Sequence, residues 1–194
     1  VGSCAESTHI CMTAHTPAVV EAHDQPPGEG NNGENGGQGR LFEWEGQHWF
    51  EATVGDDPWP LKIWFSDAAV EAGEVGCSYE MMSAGAGYVA HPDNDATNQG
   101  FIRDAGAVLV VFFLTDEPDK SPEGPMAYAN MLYDAKADCG GGDCIIATGL
   151  VNQCIFNVDD PLRNFLELFP ESPATGSIDD PEVYDEIVGA ALAE

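Results

Sequence analysis

Ten consecutive positions, Gly106–Thr115 (GAVLVVFFLT), carry no charged side chain and no polar one before the closing threonine. A run of that kind predicts a strand buried on both faces, as in a parallel sheet layered by helices. Asp143–Val151 (DCIIATGLV) predicts a second buried strand, and Pro122–Asp138 between them reads as a helix. Upstream, Ser7–Ala14 (STHICMTA) is rich in β-forming residues and predicts a strand; Leu41–Trp44 and Gln47–Val54 are strand-like pieces. Leu61–Gly73 places apolar residues at Leu61, Ile63, Trp64, Phe65, Ala68, Ala69 and Ala72, the pattern of a helix that stops at its glycine. Ser78–Val89 is a second helical stretch, whose small residues Ala84 to Gly87 would allow close packing on a sheet. Pro161–Phe169 and Pro181–Ala193 predict terminal helices, each with proline in the favoured first turn.

The connectors are polar. Residues 24–39 (DQPPGEGNNGENGGQG) can bury nothing and read as a long, flexible, acidic, glycine-rich loop. Residues 56–60 form a turn, and 90–100 a polar loop. The order of elements predicts a single α/β domain over residues 1–194, with a largely parallel central sheet and helices on both faces.

Charge then narrows the function. Six Lys+Arg against 34 Asp+Glu give a net charge of −28, which excludes nucleic acid and anionic membranes as partners. The acidity serves solubility, or binds divalent cations through carboxylate oxygen. No apolar run is long enough to insert into a bilayer. The first six residues have neither a basic nor an apolar signal region, as expected of a processed or trimmed chain. Six cysteines and so few lysines predict an oxidising compartment, secreted or at the cell surface. Cys139 and Cys144 flank a Gly-Gly-Gly-Asp interior that suits a small disulfide loop better than a zinc knuckle.

The strongest place for chemistry is where the first buried strand ends. Ligands bind beyond the carboxyl ends of parallel strands. There Asp116, Glu117 and Asp119 repel one another, a cost that a divalent cation would remove. The alternative is an acidic loop whose carboxylates cap the next helix. Residues 91–98 (HPDNDATN) alternate oxygen side chains like the opening of a calcium loop, but lack its central glycine and distal glutamate, and read rather as a polar turn. No zinc-protease, nucleophile-elbow or phosphate-loop motif is present, and His9, His15, His23, His48 and His91 are scattered. The aromatic group Phe42, Trp44, Trp49, Phe50, Trp59, Trp64 and Phe65 reads first as core and edge packing, second as a binding surface.

Residues 98–103 (NQGFIR) followed by 109–117 (LVVFFLTDE) resemble von Willebrand factor A-type domains of secreted or lipid-anchored bacterial proteins of myxobacterial type. Residues 9–13, 76–80, 145–149 and 176–180 resemble further landmarks of that family in the same order. The resemblance implies an adhesion or protein-binding module, non-enzymatic, holding Mg²⁺ or Ca²⁺ at a metal-dependent adhesion site. Asp116 matches one ligand of that site and Ser78 weakly replaces a threonine, with Glu117 and Asp119 adjacent. The Asp-x-Ser-x-Ser segment is absent, and with it the central strand that precedes it. The resemblance therefore implies an incomplete sheet, filled by a strand from another chain or fragment in the favoured reading, or closed up by a rearranged topology in the alternative. It leaves a structural subunit of an extracellular filament as the second reading and a secreted hydrolase as a distant third.

Overall fold

The computed structural model describes residues 39–52, 55–72, 81–103, 105–152, 160–170 and 172–193. The expected strand at Ser7–Ala14, the loop 24–39 except its last residue, and Ser78 lie outside them. Helix α1 spans Pro58–Ala72 and α2 Met82–Tyr88; strand β1, Leu109–Thr115, leads to α3, Pro125–Ala135, and β2, Ile145–Val151. Helix α4 (Pro161–Leu166), the short strand β3 (Gly176–Ser177) and α5 (Tyr184–Ala193) follow. The sheet is parallel throughout, ordered β1-β2-β3, with Leu109 opposite Ile145 and Thr115 opposite Val151. The chain is thus α/β, as its pattern predicts.

Strand alternation sorts β1 and β2 into two faces. On the first, Phe113, Ile145, Ala147 and Val151 share one core cluster with Tyr128, Ala129 and Leu132 of α3 and Leu162 and Phe165 of α4, which Ala84 of α2 joins from the α3 side. Phe113 meets Phe165 edge-on at 5.9 Å, an arrangement the ring quadrupoles favour. Burial pushes the Tyr128 phenol up to about 12, and its oxygen accepts the Glu123 N–H at 3.0 Å. On the second face, Leu150, Val183 and Ile187 converge on Gly176, where an added Cβ would come within 2.8–3.0 Å of their side-chain ends. The Thr148 hydroxyl, fully buried, turns to the carbonyls of Pro173 and Ala174.

β2 is buried at every position, as expected. β1 is not. Its second face carries Val110 and Leu114, which are 37% and 61% exposed, and continues into Val108 just before the strand, 52% exposed.

Two further expectations change. The segment 41–52 forms no strand among its described residues. Trp44 and Gln47 exchange hydrogen bonds across a tight turn through Glu45 and Gly46, both at positive φ, and their pairing extends no further. The small residues of α2 pack closely, but on α3 rather than on the sheet: a Cβ at Gly87 would lie 2.7 Å from that of Tyr128. Among the described residues, no helix is long and apolar enough to cross a membrane.

Candidate functional site

The loop leaving β1 starts with a local turn, the Thr115 hydroxyl accepting the Glu117 N–H at 3.2 Å. Asp116 faces solvent at the carboxyl end of the strand, and its carbonyl accepts the Asn152 amide at 3.0 Å. Glu117 is half-buried and lies 3.6 Å from the Lys120 ammonium. Asp119 turns inward and is buried. One of its oxygens accepts the N–H and hydroxyl of Ser121 at 3.0 and 2.6 Å; the other accepts the Ser83 N–H at 3.3 Å. The Ser121 hydroxyl in turn accepts the Ala84 N–H at 2.9 Å. Asp119 and Ser121 therefore serve buried N–H groups at the start of α2 that have no partner within the helix, the role that helix ends require.

Asp160 is a second buried carboxylate beside this loop, one that sequence reasoning did not single out. It caps α4, accepting the Leu162 N–H at 2.8 Å. Burial, and secondarily the charge of Asp119, pushes its carboxyl above the usual range; the Leu162 N–H pulls the other way. The signal was present in the sequence as Asp160 directly before Pro161, the pattern of an N-cap followed by proline in the first turn.

Of the residues proposed for a cation, Asp116 and Glu117 are on the solvent side of the loop, Asp119 is committed to backbone donors, and Ser78 is outside the described residues. Among the described residues, no three His, Cys, Asp or Glu side chains are grouped so as to hold a metal. The oxygen-rich segment 91–98 is a structural hub instead. The Asn98 side chain donates to the carbonyls of Gly39 and Val89 and accepts the Leu41 N–H, tying three distant segments together. The predicted Cys139–Cys144 disulfide is formed, with a Cα separation of 5.9 Å.

Among the described residues, two apolar surfaces are exposed. One is the bare face of β1, whose Leu114 ends next to the acidic loop. The other is the outward side of α1, where Trp59, Ile63 and Val70 recur at helical spacing and are exposed. The aromatic group divides accordingly: Phe50 packs on Trp64 and Trp49 on Phe101, while Trp59 and Phe65 face outward.

The fold and this site define an open parallel α/β domain with an acidic strand-end loop and one uncovered sheet face. No family model, curated protein or solved structure matches the chain.

Proposed function

We propose that the chain is a non-enzymatic, extracellular protein-binding module of von Willebrand factor A type, meeting its partner on the outer face of β1. The observation that carries this reading is the row Val108, Val110 and Leu114, apolar and exposed on a strand whose neighbour is wholly buried. Clustered apolar surface of this kind is what protein partners cover. The acid beside it favours a partner with basic groups around an apolar centre. The buried carboxylates support a binding rather than a catalytic role, since Asp119 and Asp160 are engaged in capping helices. The extracellular part of the reading rests on the Cys139–Cys144 bridge, a bond kept in oxidising compartments.

A divalent cation, Mg²⁺ or Ca²⁺, enters this proposal only as an assistant at Asp116 and Glu117. Two carboxylates are few for a hard cation, so one held there would keep most of its water shell. Calorimetric titration of the full chain and of Asp116→Ala tests it: heat lost in the variant supports the assistant, and equal heats remove it.

The binding face is tested by placing a photo-activatable side chain at Leu114 and, as a control, at exposed Asp138, in the medium where the protein occurs. A partner captured from position 114 alone, and lost on Val110→Lys, is the expected result. Equal capture from both positions, or capture unaffected by Val110→Lys, would overturn the reading.

A further inference from the structure

We propose that the chain pairs with a second copy of itself through α1, the two helices lying parallel about a two-fold axis. The Asp57 carboxylate accepts the Trp59 N–H at 3.0 Å and starts the helix. One side of α1 then rests on the body: Ala68 is buried, Leu61 is half-buried, and the Trp64 ring meets Phe50 at 6.0 Å. The opposite side carries Trp59, Ile63, Ser66 and Val70, all exposed. Three of these four are apolar, and they are 63%, 44% and 78% exposed. A helix that meets only water outward is polar there. This one has a second apolar side to cover.

Spacing and charge identify the cover. Trp59, Ile63, Ser66 and Val70 step by four, three and four, the rhythm of heptad positions d, a, d and a, along which two helices pack. Leu61, Trp64 and Ala68 fall at f, b and f, so one side of the helix serves the fold and the other presents a coiled-coil seam. Both a positions hold β-branched residues, Ile63 and Val70, which favours two parallel helices. In a parallel pair, position g of one helix faces position e of the next heptad on the other. Here these are Lys62 and Asp67, both exposed and opposite in sign, and the two-fold axis makes the contact twice. An antiparallel pair would instead set each Lys62 against its own copy and each Asp67 likewise, so charge selects the parallel arrangement. The chain has six Lys+Arg against 34 Asp+Glu, and one of the six stands at this g position. Repulsion between two copies at −28 is screened over about 8 Å at physiological ionic strength, which leaves the local contact to decide. Two heptads bury little, so the pair is reversible.

Sedimentation equilibrium of the full chain, in NaCl at physiological ionic strength, tests this. The expected result is a reversible equilibrium between the 20.6 kDa monomer and a dimer. Ser66→Leu fills a d position and should tighten the dimer about tenfold, whereas Ile63→Gln should weaken it on the order of a hundredfold. Lys62→Glu should weaken it about tenfold, and Asp67→Lys added to that variant should restore the parent affinity by rebuilding both contacts with signs exchanged. A monomer across the whole concentration series, for the parent and for Ser66→Leu, overturns the proposal. A dimer that ignores Ile63→Gln overturns it by placing the contact elsewhere. A Lys62→Glu variant that dimerises like the parent, or that Asp67→Lys does not rescue, also overturns it. The outer face of β1 takes no part in this pairing, so binding there stands or falls by its own experiment.

Discussion

Asp160 shows how a buried carboxylate can cap a helix and still carry a cost. Its folded-state pKa is raised, so the folded protein holds a proton that the unfolded chain has released. Its contribution to stability is therefore complete below the ordinary value of 3.8 and declines as pH rises through the folded value. Asp160→Asn keeps an oxygen for the Leu162 N–H and removes the charge, so it should flatten that decline. Asp160→Ala loses the cap and should cost about 1–2 kcal/mol. Urea denaturation of both variants over a pH series checks this; parallel pH profiles for Asp160→Asn and the parent would refute it. Lys136 is the reverse case, a buried cation whose ammonium donates to the carbonyls of Arg103 and, at 2.6 Å, Ala107. Lys136→Met leaves both carbonyls unserved at the entrance to β1 and should cost about 2–4 kcal/mol by the same method. The Lys136 role was not legible in the sequence, because its partners are remote along the chain, whereas Asp160 directly before Pro161 carried the mark of a cap. Asp119 makes the point best. Its place after a strand suggested a cation or a cap for the following helix, and its carboxylate instead serves a helix 36 residues earlier.

At the scale of elements, sequence was a good guide where pattern and length agreed. The apolar run 145–151 announced a buried strand and Pro161 begins the helix predicted from it, while the helix expected from Pro122 starts at Pro125. β3 escaped because two residues carry no periodicity; its pairing to Leu150 and Val151 is decided by the sheet. β1 was misread on one face because a continuous apolar run cannot say which of its faces will be covered. The glycines of α2 permit a paired test of its packing. Gly87→Ala drives a methyl into Tyr128 and should destabilise by about 1–3 kcal/mol. Gly85→Ala meets nothing within 4 Å and should stabilise by up to about 1 kcal/mol through helix propensity. Thermal melts of the two variants should therefore shift in opposite directions. Equal losses would mean that α2 is not seated on α3 as described.

The whole molecule folds against its own charge. At −28, like-charge repulsion opposes the compact state, and added salt relieves it. The melting temperature should rise with NaCl from low ionic strength towards physiological, and a flat profile would show that the carboxylates are already compensated. The loop between α3 and β2 is closed on itself by the disulfide, while Lys136 grips the residues that lead into β1. Leu109 pairs with Ile145 and Leu150 with Gly176, so each strand pairing closes a long loop before a single ladder bond forms. Parallel pairing of that kind is slow, so the domain should refold slowly for its size, which stopped-flow refolding from urea would measure.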